Sequence, residues 1–242
     1  MRASKLKYKR VILKISGEIL GGEGNSFDPA AFDFFARSVK EAAGLGAEIG
    51  IVVGGGNIFR GIGSVLPAVQ RTTADQMGML ATVINGLALR ETLEKSSLKV
   101  RLFSSLPLGS LVEPYLPRRA RRSLDDHEVV ILSGGTGNPF VSTDTAAVLR
   151  ACDLEADAVL KATRVDGIYS GDPEKESGAR KFDEISYDEV LKLGLRIMDF
   201  AAVGLAKENN IPVIVFNFRK NQALKRVLLG EKVGTIMRAK AA

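Results

Sequence analysis

Two lysines stand near the ends of apolar runs that read as buried strands: Lys14 after Val11-Ile12-Leu13, and Lys161 after Val159-Leu160. A buried strand end is an unfavourable place for a cation unless it meets an anion. Two such cations converging on one cleft would neutralise a transferring phosphoryl group. Each lysine taken alone also reads as a solvated strand terminus. Three strand ends run into glycine-rich turns: Lys14-Ile15-Ser16-Gly17, Val53-Gly54-Gly55-Gly56-Asn57 with Arg60 close behind, and Ser133-Gly134-Gly135-Thr136-Gly137-Asn138-Pro139-Phe140. Glycine lets a backbone approach a ligand and aim its N–H groups at it. After the third turn, Ser142-Thr143-Asp144 opens a helix, whose N-terminus favours an anion. One such turn would read as a tight turn and nothing more. Three of them, with Lys14 and Arg60 adjacent, read as phosphate binding.

Composition excludes other chemistries. A single cysteine, Cys152, leaves no internal disulfide framework and no multi-cysteine metal site. A single histidine, His127, rules out histidine-rich zinc or di-iron centres and disfavours a Ser-His-Asp hydrolase. Lys, Arg, Asp and backbone N–H groups must carry the reaction. The net charge of +6, from 34 Lys+Arg against 28 Asp+Glu, suits an anionic ligand without distinguishing nucleotide from nucleic acid. The basic segment 1–10 leads into an apolar run broken by Lys14, and no later run reaches the roughly 20 residues of a spanning helix. A cytoplasmic protein with no membrane contact is expected. The G-x-x-x-x-G-K-[ST] loop and the G-x-G-x-x-G fingerprint are both missing, so neither an ordinary P-loop nor a dinucleotide site is indicated.

The elements that must position these residues alternate. Strands are predicted over 8–15, 47–53, 100–104, 128–133, 158–162 and 212–218, with helices over 28–43, 73–95, 144–151 and 199–209. The runs Ile49-Gly50-Ile51-Val52-Val53 and Val129-Val130-Ile131-Leu132 are apolar throughout, as strands buried on both faces should be. Asp28-Pro29 supplies an N-cap followed by Pro at the first helical position. No linker, low-complexity tract or repeat divides the 242 residues, so one domain over 1–242 is expected. The alternation predicts an α/β three-layer sandwich with a central, mostly parallel sheet. Ligands then sit beyond the carboxyl ends of the strands, where the glycine turns lie.

Taken together, Lys14-Ile15-Ser16-Gly17, Gly54-Gly55-Gly56-Asn57 and Lys161-Ala162-Thr163-Arg164-Val165-Asp166-Gly167-Ile168-Tyr169 resemble the motifs of the amino-acid kinase superfamily. These alone leave acetylglutamate, aspartate and carbamate kinases open. The segments Gln76-Met77-Gly78-Met79-Leu80-Ala81-Thr82 and 135–144 are similar to those of bacterial uridylate kinases, and the match runs from about residue 8 to 237 in the family's order. The resemblance implies the amino-acid kinase fold and transfer of the ATP γ-phosphoryl group to UMP. It places UMP over the N-terminal half of the sheet and ATP over the C-terminal half. It assigns Lys14, Ile15, Ser16, Gly17, Gly56 and Arg60 to the ATP phosphates, and Thr163, Tyr169 and Asp172 to the ATP nucleoside. Lys161 is implied as the second phosphate-binding lysine, and Asp144 as the acid that orients both. Gly55, Asp75, Thr136, Gly137, Asn138, Pro139, Phe140, Val141, Ser142 and Thr143 fall to UMP. Magnesium is implied with ATP. The acceptor is a phosphate oxygen already ionised at neutral pH, so no general base is required.

Some residues have plainer readings. His127 reads as a surface loop residue, Cys152 as a packed small side chain, and Met77 and Met79 as helix packing. Asp199 and Asp75 each stand near the start of a predicted helix, where a carboxylate can simply cap. The arginine cluster at 118–122 reads first as a solvated helix face, then as an effector site, and last as a nucleic-acid patch, since no aromatics interleave it. Nucleic acid is not an expected partner. The resemblance further implies a homohexamer activated by GTP and inhibited by UTP, with Arg90 and Arg101 at the GTP site. Glu94, Pro117 and Glu128 replace the His, Trp and Arg of enteric members. Two carboxylates would repel a triphosphate, so this chain either forgoes GTP activation or uses other contacts. Two rivals remain open: an amino-acid kinase acting on a carboxylate, and a nucleotide-sensing regulator without turnover.

Overall fold

The computed structural model describes residues 5–22, 24–59, 68–171, 176 and 178–240. The strands are β1 (Arg10–Ile15), β2 (Glu48–Val53), β3 (Val100–Ser104), β4 (Glu113–Pro114), β5 (Val129–Ser133), β6 (Ala158–Thr163), β7 (Ile168–Tyr169), β8 (Lys181–Phe182), β9 (Glu184–Ser186), β10 (Val213–Asn217) and β11 (Thr235–Arg238). The α-helices are α1 (Pro29–Gly44), α2 (Arg71–Lys95), α3 (Pro117–Asp125), α4 (Thr143–Asp153), α5 (Tyr187–Lys192), α6 (Phe200–Glu208) and α7 (Ala223–Leu228). Nine strands form one sheet in the order β4-β3-β5-β2-β1-β6-β10-β11-β9, and β7 pairs with β8 apart from it. Within the large sheet only β10–β11 is antiparallel.

Each predicted strand and helix is present, shifted by at most two residues at either end. Asp28 caps α1 through Ala30 N at 3.0 Å, with Pro29 at the first helical position. Two cores flank the sheet. Helices α1, α2 and α7 pack on one face with Val11, Leu13 and Ile15. Helices α3, α4, α5 and α6 pack on the other with Ile12 and Val159. Side chains alternate across a strand, so Lys14 projects from β1 toward the second face, and Lys161 does the same from β6. The register pairs Lys14 with Lys161 directly. Neighbouring strands lie about 4.8 Å apart, so two ammonium stems are set side by side on one buried face.

The opposite end of the central strands is closed by ion pairs. Glu48, 4% exposed, takes Lys9 Nζ at 2.7 Å and Arg10 Nε at 2.6 Å. Burial works against its charge, but the bonds and charges of Lys9 and Arg10 hold its carboxyl below the ordinary carboxylate range. A carboxyl whose pKa is lower in the folded state adds stability above its unfolded value and loses it as pH falls through the folded one. Glu48→Gln is therefore expected to lower unfolding free energy at pH 7 by about 1.5–3 kcal/mol, the scale of hydrogen bonds to a charged group. The gap to the parent should close as the pH falls below about 4.5, the unfolded carboxyl value. Urea denaturation at pH 7 and pH 3.5 checks it, and a gap that persists at low pH would remove the carboxylate from the account.

Candidate active site

The two lysines share one counter-ion. Asp144, second residue of α4, lies with Oδ1 2.8 Å from Lys14 Nζ and Oδ2 2.7 Å from Lys161 Nζ. The Lys161 contact is a directed hydrogen bond, whereas Lys14 approaches off the hydrogen-bonding angle. Lys161 also donates to the carbonyl of Ile197. Burial alone would push Asp144 up, but Lys14 and Lys161 together hold its carboxyl below the usual range. Burial and the neighbouring Lys14 push Lys161 down, against the pull of Asp144. The two lysines thus share the Asp144 carboxylate, with Asp199 adding a weaker attraction on Lys161, and an incoming phosphate would meet both cations. Ser142 fixes the helix that delivers Asp144, its hydroxyl capping through Asp144 N at 3.0 Å and Thr145 N at 3.3 Å. Asp199 caps α6 through Ala202 N at 2.9 Å. It also accepts the hydroxyls of Ser142 and Thr145, so it clamps α6 to the start of α4.

The first two glycine turns pack against each other. A Cβ on Gly17 would strike Asn57 Oδ1 and lie 2.8 Å from Gly56 N, so only glycine fits. Ser16 caps the short 3-10 turn Gly17–Ile19 through Glu18 N. The side chain of Ile15 is fully buried in the core, so a ligand can meet only its main chain. Asn57 and Asn85 exchange side-chain amide bonds at 3.0 and 2.7 Å, and Asn85 Nδ2 reaches Gly54 O at 2.7 Å. Gly56 and Asn57 border a cleft with Glu18, Gly22, Ser26 and Arg164.

Gly55 faces a second cleft of about 210 Å³, bordered by Asp75, Thr82, Gly135, Asn138 and Thr143. Asp75 is the fifth residue of α2, whose first residue is Arg71, and it caps nothing. The capping reading is corrected: the helix begins two residues earlier than its pattern suggested. Asp75 instead takes Arg71 Nε at 3.1 and 3.0 Å and accepts the N–H of Phe140 at 2.8 Å. Phe140 stands at φ 67° and is 66% exposed, with the Arg71 guanidinium 5.5 Å from its ring centre. Thr136 and Asn138 brace each other across the loop, Asn138 N donating to Thr136 Oγ1 at 3.2 Å. Val141 is exposed beside them, and Pro139 is half-buried.

On the other side, Thr163 ends β6, its hydroxyl on Val165 O at 2.6 Å. Tyr169 donates to Asp166 Oδ1 at 2.5 Å, and Lys220 reaches Asp166 Oδ2 at 3.0 Å. That phenol bond first, then Lys220 and Lys181, hold the Asp166 carboxyl well below its ordinary value against a burial effect. Arg60 and Asp172 lie outside the described residues. Among the described residues no group of three or more His, Cys, Asp or Glu side chains is gathered that could hold a metal. None of their helices is long and apolar enough to cross a membrane.

The arrangement is therefore two buried cations at the carboxyl ends of adjacent central strands, between two clefts edged by glycine turns. Residues 9–217 match the amino acid kinase family. The chain belongs to that family. A uridylate kinase of Legionella pneumophila strain Corby is 50% identical over 236 residues, covering 97% of this chain and 96% of that one. A uridylate kinase of Brucella abortus is 49% identical, covering 96% and 98%. The crystal structure of UMP kinase from Bacillus anthracis superposes with a TM-score of 0.94 at 40% identity, covering 97% of both chains. The fold of this family member is thus the mostly parallel α/β sandwich its motifs implied.

Several residues that shape this family member's clefts escaped sequence reasoning. Asn85, within α2, is fully buried and holds the 54–57 turn. Thr82 accepts Gly134 N at 2.7 Å. Arg150 is 5% exposed, although arginine in a helical pattern reads as solvated. Asn85 carried a signal, a polar residue on an apolar stripe, and Thr82 closes the family-like segment 76–82, from which no role for it was read. The plainer readings fare well: His127 is an exposed turn residue at φ 57°, and Cys152 packs at the edge of the second core. Met79 is buried but also borders the second cleft. The 118–122 arginines lie on α3 with Arg118, Arg119 and Arg122 exposed and Arg121 paired with Glu155 at 2.8 Å.

Proposed function

We propose that this protein is a UMP kinase of the cytoplasm, transferring the γ-phosphoryl group of ATP to UMP in pyrimidine nucleotide biosynthesis and giving UDP and ADP. The observation that carries the reading is the Lys14–Asp144–Lys161 cluster, set beside the Asp75 cleft in a chain about half identical to uridylate kinases along its length. A phosphate oxygen of UMP attacks the γ-phosphorus as the bond to the β-phosphate oxygen breaks, and the reverse step is equally allowed. The protein supplies alignment and charge neutralisation. Lys14, with Ser16, Gly17, Gly56 and the main chain of Ile15, holds the donor phosphates, and Arg60 joins them. Lys161 meets the group in flight, and Asp144 orients both lysines. Thr163, Tyr169 and Asp172 hold the donor nucleoside. Gly55, Asp75 and the loop from Thr136 through Gly137, Asn138, Pro139, Phe140, Val141 and Ser142 to Thr143 hold the acceptor. Ser142 acts there through its helix cap. Magnesium enters as MgATP and is substrate here.

Purified protein with MgATP, offered UMP, CMP, acetylglutamate and aspartate, tests the reading. Strong turnover with UMP and weak turnover with CMP is expected, because groups that pair with uracil are left unpaired against cytosine. Acetylglutamate as best acceptor, equal rates with UMP and CMP, or no turnover would each overturn it.

We also infer a homohexamer with α2 at an interface. Leu80 and Ile84 stand 46% and 47% exposed one helical turn apart, an apolar stripe that a lone chain leaves wet. Light scattering should give the hexamer mass for the parent and a smaller species for Ile84→Arg. A monomeric parent at assay concentration would remove the assembly. GTP activation and UTP inhibition belong to the same reading in its finer form. Arg101 already pairs with Glu113 at 2.9 Å and Glu128 at 3.3 Å, which supports loss of the GTP response or its transfer to other contacts.

A further inference from the structure

Three glycines of the acceptor turn, Gly134, Gly135 and Gly137, sit at φ 76°, 58° and 82°. Such a turn has no repeating ladder of its own, so its shape depends on outside anchors. On one side Thr82 takes the N–H of Gly134. On the other, the Gly135 carbonyl accepts Ser105 Oγ at 2.9 Å and Arg150 Nη2 at 3.3 Å, and Arg150 Nη2 also donates to Ser105 Oγ at 2.8 Å. The guanidinium is itself locked: Nη1 meets Asp153 Oδ2 at 2.9 Å, and the plane lies 3.9 Å from the ring centre of Tyr115. The Tyr115 hydroxyl donates to the same Asp153 oxygen at 2.9 Å. A charge this buried is unfavourable unless its fork is fully used. Here one arm of the fork reaches a carbonyl at the edge of the acceptor cleft.

We propose that Arg150 is a positioning residue for the acceptor: through Ser105 and the Gly135 carbonyl it sets the main chain that receives the nucleoside monophosphate. The proposal rests on the UMP kinase reading for its substrate, and on geometry alone for the turn. Arg150 touches neither lysine, so its loss should spare the donor side and the transfer step.

Arg150→Lys keeps a cation but not the fork. It is expected to raise KM for UMP roughly tenfold, the scale of one hydrogen bond to a charged group, with KM for MgATP and kcat unchanged. Ser105→Ala removes the relay while leaving Arg150 paired with Asp153, and should move the same constant in the same direction. If Arg150→Lys fails to fold, Ser105→Ala carries the test. Tyr115→Phe, which removes a bond on the far side of the guanidinium, should leave KM for UMP alone. Amide hydrogen exchange on the substrate-free protein supplies a readout independent of the reaction: the 134–138 amides should exchange faster in Arg150→Lys and Ser105→Ala than in the parent. A parent inactive on UMP would sink the substrate reading while exchange still judged Arg150. Unchanged exchange in the turn, or a common rise in KM for both substrates, would overturn the positioning role.

Discussion

Replacing Lys161 by Ala is expected to lower kcat by roughly a hundredfold or more, the scale of removing one preorganised charge from a developing transition state. The same holds for Lys14→Ala. The two side chains spring from register partners in β1 and β6 and meet one carboxylate, so neither can be replaced by a neighbour. Folding should survive either single change, because the remaining lysine still answers the buried Asp144. The double variant differs: it leaves the largely enclosed Asp144 carboxylate with neither lysine, and an uncompensated charge of that kind is strongly destabilising. Single variants with a near-parental melting temperature and a collapsed kcat, set against a double variant that melts early, would fit the shared counter-ion. A single variant with ordinary kcat would remove that lysine from the mechanism. Asp144→Asn offers a third check. It should slow turnover too, because two facing ammonium groups without their anion are pushed apart.

Asp75→Asn is expected to raise KM for UMP roughly tenfold while leaving KM for ATP unchanged. A carboxylate has about four lone-pair positions, and the three bonds from Arg71 and the Phe140 N–H leave one on Oδ1 for a ribose hydroxyl, with a second opening if the Arg71 bond yields. Bonds from ribose hydroxyls to a charged acceptor are worth about 1.5–3 kcal/mol. With capping removed from consideration, the competing role is that of a fastener holding Phe140. The two roles separate on deoxy-UMP. A ribose ligand loses its preference for UMP over deoxy-UMP in the variant, since less is forfeited when the 2′-hydroxyl is missing. A fastener weakens both acceptors alike and keeps the ratio.

Much of this fold was legible because the central strands are continuous apolar runs, and such runs between helical stretches have few other solutions. The two- to four-residue strands β4, β7, β8, β9 and β11 escaped because so short a segment has no period to read. Helices α5 and α7, six residues each, escaped for a similar reason. The site was legible unevenly. Each lysine announced itself by interrupting an apolar run. Their shared partner was reached only through the family resemblance, since Asp144 reads locally as a first-turn acid and the sheet register is what sets both lysines beside it. Asp75 kept a capping alternative beside its assignment to UMP because the start of α2 was read two residues late, the margin at which helix ends are usually misjudged. Arg150 left no trace in its own segment. Its burial comes from Tyr115 and Ser105, some forty residues away, and pairing at that distance is decided by topology.

Helix α2 is a rod of 25 residues, about 37 Å at 1.5 Å per residue. Its inner side supplies Asp75 and Thr82 to the cleft that Gly55 faces and Asn85 to the 54–57 glycine turn. Its outer side carries Leu80 and Ile84. A close-packed rod transmits a push with little loss, so the two sides cannot be tuned separately. Pressure on the outer stripe from a neighbouring subunit would arrive, one residue later, at Asn85. In the hexamer proposed above, the helix would act as a push-rod between assembly and substrate fit, and dilution that separates subunits should loosen UMP binding before it alters the chemistry.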